Sequence, residues 1–247
     1  DHPHILRLHE LIVTGSDAVL VLEFAEGGSL ADVLAHRGRL APGEVATIVA
    51  PIAAALAAAH AEGVIHADVS PGNILFTAQG LPLLADLGVA RLLGQSDAAV
   101  RATPGYLDSA VAAGGAPGPH SDVFSLAAVA WRALTGRAVW ESPTVRESLV
   151  MACEGVVPPV RDLVPSTPAA LADAIDRALQ RDTHLRGAAA DLALDVRHAV
   201  EPTPVDGWSG RPRGAAAPDD VASRADRLAE APGSAPLAAP SDAPPDA

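Results

Sequence analysis

Apolar residues in this chain fall into two kinds of pattern, short continuous runs and long stretches with helical spacing. Residues 18–24, AVLVLEF, form a run rich in Val and Leu behind the turn-like Thr14-Gly15-Ser16-Asp17, which predicts a buried strand. Gly27-Gly28 ends it, and Ser29 is placed to cap the amphipathic stretch LADVLAHR. A longer helix is predicted from Pro42 to about Glu62, with proline in its first turn and Gly63 at its close. Two short apolar runs follow, Asn73 to Phe76 and Leu81 to Ala85, and the intervening Thr77-Ala78-Gln79-Gly80 makes them read as a hairpin. From Ser121 to Leu134 the chain is apolar nearly all round, as suits a helix at the centre of a helical layer, and Gly136 stops it. Further helices are predicted from about Pro168 to Leu179 and from Ala188 to Ala199.

After Glu201 the pattern fades into Pro, Ala, Gly, Ser and Asp with scattered Arg. Residues 201–247 are expected to be a disordered tail or linker, with a short helix conceivable around Val221 to Ala231, because they cannot bury enough surface to offset the entropy of ordering. No repeat of fixed period stands out. The 247 residues, 49% of them apolar, suffice for one sizeable core plus this extension.

Charge and cysteine content narrow the classes. A net charge of -13 argues against nucleic-acid binding, since phosphate backbones reward clustered cations. All 17 basic residues other than histidine are Arg, so no lysine is available for any task. Cys153 is the single cysteine, which excludes an internal disulfide and makes a reducing, cytoplasmic setting the simpler expectation. No basic-then-apolar leader opens the sequence. The run Val45 to Ala61 is Ala-rich and broken by Pro51, so it is read as a buried helix and no membrane span is expected.

Candidate chemistry sits between the long helix and the hairpin. His66-Ala67-Asp68-Val69-Ser70-Pro71-Gly72-Asn73 matches His-x-Asp-x-x-x-x-Asn, and Asp86-Leu87-Gly88 follows the second short run. Phosphoryl transfer needs a carboxylate to orient the acceptor hydroxyl and hard oxygen ligands for Mg2+ bridging the phosphates. Asp68 suits the first task, and Asn73 with Asp86 suits the second. As isolated residues all three would read as turn formers; together, at these spacings, they point to a phosphotransferase. The other histidines, His2, His4, His9, His36 and His60 among them, are scattered without metal-ligand spacing, and His66 is read as shaping the loop.

Over about residues 1–200 the sequence resembles the eukaryotic-like Ser/Thr protein kinases of bacteria. His66-Ala67-Asp68 resembles the HRD of the catalytic loop, Asp86-Leu87-Gly88 the metal-binding DFG, and Ala102-Thr103-Pro104-Gly105-Tyr106 the end of the activation segment. Asp122-Val123-Phe124-Ser125-Leu126 resembles the start of the buried helix whose Asp braces the catalytic loop. Asp1-His2-Pro3-His4-Ile5-Leu6 resembles the segment after the family's regulatory helix. The resemblance implies an α+β, kinase-like fold: residues 1–25 as the last part of an N-lobe with its hinge, 26–200 as a helical C-lobe. It also implies ATP and Mg2+ as cofactors, with catalytic residues Asp68, Ser70, Asn73 and Thr103 and metal ligands Asn73 and Asp86. Leu22 then falls at the gatekeeper, Glu23 to Ala25 at the adenine-binding hinge, Ser29 near the ribose and Leu75 under the adenine, although ordinary core packing explains Leu22 and Leu75 as well.

The departures are equally specific. The family's Gly-rich loop, strand lysine and helix glutamate have no counterpart in the sequence. Ser70 stands where a lysine usually reaches the transferred phosphate, Ala67 replaces the Arg that reads activation-loop phosphorylation, and Leu87 replaces Phe. Asp108-Ser109-Ala110 stands where the family has APE, so the glutamate partner of a late Arg, here Arg186, is missing, and Arg186 is expected in solvent or on another acceptor such as Asp108. The leading expectation is a Ser/Thr protein kinase domain acting on an unknown protein, weak or inactive as this chain. The alternatives are a pseudokinase or regulatory binding module, and, third, a small-molecule phosphotransferase.

Overall fold

The computed structural model describes residues 2–14, 17–87 and 103–205. The chain divides into two units, Asp1–Pro212 and Arg213–Ala247; the second lies outside the described residues, as do Gly88, Ala102 and the whole of 206–247 from the expected tail.

Two small antiparallel sheets come first. Strand β1 (Leu8–Thr14) pairs with β2 (Asp17–Leu22), and β3 (Ile74–Phe76) pairs with β4 (Pro82–Leu84) around a turn in which Gly80, at φ +80°, gives its N–H to Thr77. The β3–β4 pair is gripped on both edges: Leu6 and His4 bond to Leu84, and Gly27 and Gly28 bond to Phe76. That lattice fixes the segment before β1 and the segment after β2 to the hairpin that follows the His66–Asn73 loop.

The expectation of a buried strand at 18–24 needs correction. Val19 is 47% exposed and Val21 39%, and Phe24, at 73%, lies beyond the strand. A two-stranded ribbon has no second layer over its faces, and only its Leu22 end joins a cluster, with Leu6, Leu83, Ala85, Ala25 and Leu75.

The helical part follows its predicted bounds within a residue or two. Helix α1 (Leu30–Arg37) starts at a capping box, in which Asp32 N–H donates to the Ser29 hydroxyl and Ser29 N–H donates to the Asp32 carboxylate. Helix α2 (Pro42–Ala61) is tied to it by a bidentate pair, Arg37 to Glu44, at 2.5 and 2.9 Å. Pro51 lies inside α2 without ending it. By length and composition α2 could cross a membrane, yet more than half of it is buried in the fold, where Ile48, Ile52 and Leu56 are core residues.

Beyond the short α3 (Ser109–Ala112), helix α4 (Pro119–Thr135) occupies the centre, buried from Asp122 through Leu134 except for Arg132. It stops where Gly136 turns left-handed at φ +89°; a Cβ there would stand 2.9 Å from the Arg39 side chain. Helices α5 (Val145–Glu154), α6 (Val160–Leu163), α7 (Ala169–Ala178) and α8 (Ala189–Ala199) complete the layer, α8 packing along α2 and α7 against α4. Ordered packing continues past Ala199: Thr203 N–H donates to Gly43, the Thr47 hydroxyl donates to Thr203, and Val205 rests on the core.

Candidate active site

The loop 66–73 leaves α2 through Gly63 at φ +72° and runs under α4. Asp122, 1% exposed, receives the backbone of that loop: its Oδ2 accepts from His66 N–H at 2.9 Å and its Oδ1 from Ala67 N–H at 2.8 Å. Ala67 is one of two described non-glycine residues at positive φ, +67°, a conformation that strains a residue carrying a Cβ. The other is Asp86, at +60°. Both candidate carboxylates thus stand at or beside a strained residue that neighbours hold in place.

His66 links the two. Its Nε2 lies 2.8 Å from the carbonyl of Ala85, which can only accept, so that nitrogen donates; Nδ1 is left to accept from Asp68 N–H at 3.3 Å. With both ring nitrogens spent and only 5% of the residue exposed, His66 shapes the loop. The Ala85 N–H donates in turn to the Asn73 carbonyl at 2.8 Å, so Ala85, the residue before Asp86, is held through both its N–H and its carbonyl.

Asp68 is oriented by three donors. Thr103 gives its N–H and its hydroxyl to Oδ1, each at 2.9 Å, and Asn73 gives its Nδ2 to Oδ2 at 3.0 Å and to the Asp68 carbonyl at 2.8 Å. Asn73 therefore spends its amide nitrogen inward and keeps Oδ1 as the atom it can offer a cation. Of the four expected catalytic residues, three meet. Ser70 does not join them through its side chain: it is 5% exposed, and its carbonyl takes the Asn73 N–H that closes the Pro71–Asn73 turn.

The expected nucleotide residues divide. Leu22, Ala25 and Leu75 pack together, and Ser29 bridges to Leu75 through the backbone. The Ser29 hydroxyl is used in the α1 cap, bonding Asp32 at 2.6 Å, and Glu23 N–H goes to Arg7 at 2.8 Å. A cavity of about 1130 Å³ between the β1–β2 ribbon and the end of α2 takes in Leu22, Glu23 and Asp86 but none of Ala25, Ser29 and Leu75.

For a metal, no group of three His, Cys, Asp or Glu side chains gathers among the described residues. Asn73 and Asp86 supply only two hard oxygen ligands, a set that fits Mg2+, which keeps several waters and takes further ligands from phosphates. The residues present are compatible with that ion.

Sequence reasoning left the fate of Arg186 open, and the structure resolves it. The guanidinium is fully buried and meets Asp108, itself 1% exposed, at 2.9 Å. Burial raises the Asp108 carboxyl, but bonds from Val111 N–H and Arg186 outweigh it and hold the group below the ordinary aspartate value. Asp108 also caps α3, which follows the Thr103–Tyr106 segment; the Tyr106 carbonyl accepts from the Ser125 hydroxyl on α4 at 2.8 Å, and burial pushes the Tyr106 phenol up. His60, which sequence reasoning passed over, reaches Asp122 at 2.8 Å. Its one local signal is its place in the last turn of the helix that feeds the loop.

A carboxylate held by Thr103 and Asn73, with a second carboxylate on a strained turn, is compatible with the chemistry of a phosphotransferase. The protein kinase domain model matches residues 1–195, and the chain belongs to the protein kinase family. It is 35% identical over 202 residues to serine/threonine-protein kinase PknK of Mycobacterium tuberculosis, covering 79% of this chain and 18% of that protein. It is 38% identical over 149 residues to serine/threonine-protein kinase PkaB of Streptomyces coelicolor, and 28% over 206 residues to PrkC of Bacillus subtilis, covering 55% and 81% of this chain and 36% and 32% of those proteins. The chain thus spans about a fifth to a third of the length of these relatives.

Proposed function

We propose that this chain is the catalytic lobe of an ATP-dependent serine/threonine protein kinase, moving the γ-phosphoryl group of ATP to a hydroxyl of a protein substrate. The observation that carries this reading is the three-way lock on Asp68 by Thr103 and Asn73. Held so, Asp68 can accept a hydrogen bond from an incoming hydroxyl and take its proton as that oxygen attacks. Asn73 through Oδ1 and Asp86 through its carboxylate would hold Mg2+, which supplies charge neutralisation on the phosphates. Leu22, Ala25 and Leu75 offer an apolar surface beside the backbone of 23–25 for a purine.

A pseudokinase or binding module is the competing reading, and a specific observation favours it: the lysine position is filled by a buried serine in a chain without lysine. The test uses the longest natural chain that carries this lobe. Radiolabelled transfer from ATP to a generic acceptor protein should be lost on Asp68→Asn, and Mg2+-dependent binding of a fluorescent ATP analogue should be lost on Asp86→Ala. Binding without transfer, unchanged by Asp68→Asn, would establish the binding module. The half-buried Cys153 supports a cytoplasmic setting, which cell fractionation tests.

A further inference from the structure

Helix α4 is buried from Asp122 through Leu134 with one interruption, and that interruption is a cation, Arg132. Ser125 and Arg132 stand about two turns apart on one face of the helix. Ser125 donates its hydroxyl to the Tyr106 carbonyl at 2.8 Å. Arg132 lies beside the Tyr106 phenol, where it opposes the upward push that burial gives that group. The same face of α4 thus holds the Tyr106 backbone at Ser125 and meets its ring at Arg132.

The Arg132 guanidinium is fixed but not neutralised. Its Nη1 donates to the Gly38 carbonyl at 3.0 Å, and no described carboxylate comes within ion-pair distance of it. Two further arginines flank it. Arg39 is exposed, and its Cγ lies 2.9 Å from where a Cβ on Gly136 would stand, so its stem crosses the end of α4. Arg137, also exposed, follows Gly136. Neither pairs with a described carboxylate. Glu141 is the acid whose charge bears on the Tyr106 phenol, and it leaves the patch basic. In a chain of net charge -13, that patch is the reverse of the general surface.

Its position gives it a use. Tyr106 N–H donates to the Thr103 carbonyl at 3.0 Å, which closes the Pro104–Tyr106 turn and keeps the two residues within about 7 Å of each other. Thr103 in turn holds Asp68 Oδ1. An extended chain advances about 3.3 Å per residue, so a side chain about two to four residues from a hydroxyl at Asp68 comes within reach of Arg132.

We propose that Arg132, flanked by Arg39 and Arg137, is a specificity-determining residue that selects acidic acceptor segments, taking a carboxylate about two to four residues from the phosphorylated hydroxyl. The guanidinium fork matches a carboxylate with two parallel hydrogen bonds, which favours an acidic side chain over a merely polar one. The proposal rests on the kinase reading and adds to it the class of protein substrate.

The experiment uses the longest natural chain that carries this lobe and three serine peptides, alike except for Asp, Ala or Arg placed about two to four residues either side of the serine. The ratio of kcat/KM, acidic over neutral, should be about ten in wild type, the scale of one hydrogen-bonded charge. It should fall to about one in Arg132→Ala. In Arg132→Glu it should drop below one, and the arginine peptide should become the preferred acceptor. The ratio cancels any general loss of folded protein or of turnover, so a destabilised variant still reports. Arg39→Ala, at an exposed site, should lower the ratio about twofold, and salt at about 0.5 M should shrink it in wild type.

A wild-type ratio near one overturns the proposal, and so does an acidic preference that survives Arg132→Glu. If no peptide is phosphorylated, the kinase reading itself fails. Anisotropy of a fluorescein-labelled acidic peptide titrated with wild type and with Arg132→Glu then decides what the patch does: binding about tenfold tighter to wild type keeps it as a site for acidic polypeptide, and equal binding removes it.

Discussion

Replacing Asp108 with alanine should be among the most damaging single changes available in this fold. Arg186 has no exposed surface and makes four hydrogen bonds: to Asp108 at 2.9 Å, and to the carbonyls of His120, Gln180 and Arg181 at 3.0, 2.7 and 3.2 Å. Its guanidinium carbon also lies 5.0 Å above the Phe124 ring. Asp108→Ala leaves that charge buried without a counter-ion, a loss of about 3–5 kcal/mol, and the three carbonyls and the ring keep the figure near the lower end. The same substitution removes the α3 cap on Val111 N–H, about 1 kcal/mol more. The expected total is about 4 kcal/mol, a large share of the roughly 5–15 kcal/mol that holds a domain together, and about 8–16 °C in Tm. Urea unfolding of wild type, Asp108→Ala and Asp108→Ala/Arg186→Met measures it. The double variant should regain at least half of the loss, because removing both charges spares the desolvated cation. Adding Ala110→Glu to Asp108→Ala should regain nothing, since Ala110 is exposed. The pH dependence has a definite sign. Asp108 is held below its unfolded value, so its contribution is complete above the ordinary aspartate range and disappears as pH falls through the depressed folded value. A loss under about 1 kcal/mol for Asp108→Ala, or a double variant no more stable than the single, refutes the reasoning.

Thr103→Val keeps the backbone donor to Asp68 and deletes the hydroxyl, so phosphoryl transfer should fall about tenfold while Thr103→Ser stays near wild type, as read by kcat under saturating ATP. Gly43→Ala would ordinarily stabilise a helix by about 0.5–1 kcal/mol, but here its Cβ would meet the Thr203 hydroxyl oxygen at 2.6 Å and the Glu201 carbonyl at 2.8 Å. Overpacking of that kind costs about 1–3 kcal/mol, so the net sign is destabilising, and limited proteolysis should cut earlier around residue 203. Burial, with Asp173 and Asp162 nearby, pushes Asp176 up against the single opposing bond from Val160 N–H. The ionised form is therefore disfavoured in the fold and stability is lost as pH rises through that raised value. Asp176→Asn, which keeps an acceptor for Val160, should raise Tm at neutral pH by about 1 °C after discounting for solvent screening, and the gain should vanish at acid pH.

These expectations separate what the sequence made legible from what it did not. Asp68 and Asn73 share one short loop, and the bounds of α1, α2, α4, α7 and α8 follow from proline, glycine and capping residues close by in sequence. Strand β1 escaped because His9 and Glu10 interrupt its apolar residues and its pairing is set by β2. Helix α5 escaped because it buries little, only Ser148 and Ala152, and leaves Val145 63% and Val150 53% exposed, so no core residue marks it. The run 18–24 was misjudged for burial because composition says which residues pack well, while a covering layer is a property of the assembled fold. The described packing likewise reaches Val205, five residues into the segment expected to be disordered, through contacts with Gly43 and Thr47 that no local pattern announces.

Asp108 and His60 show why site chemistry is harder still to read. Both residues act by reaching a partner far along the chain, Arg186 in one case and Asp122 in the other. The family places a glutamate at position 110, and a reading by position alone finds alanine and concludes that the ion pair is gone. What the fold requires is a carboxylate within reach of a buried guanidinium, and an aspartate two residues earlier meets that requirement because residue 108 faces inward where 110 faces water. The same logic applies to the phosphate-facing lysine with the opposite result. Ser70 is short, buried and neutral in a chain without lysine, so under the proposed function this departure bears on transfer and not on folding. The first departure leaves the buried charge of the fold paired, and the second bears on the phosphoryl transfer proposed above and not on packing.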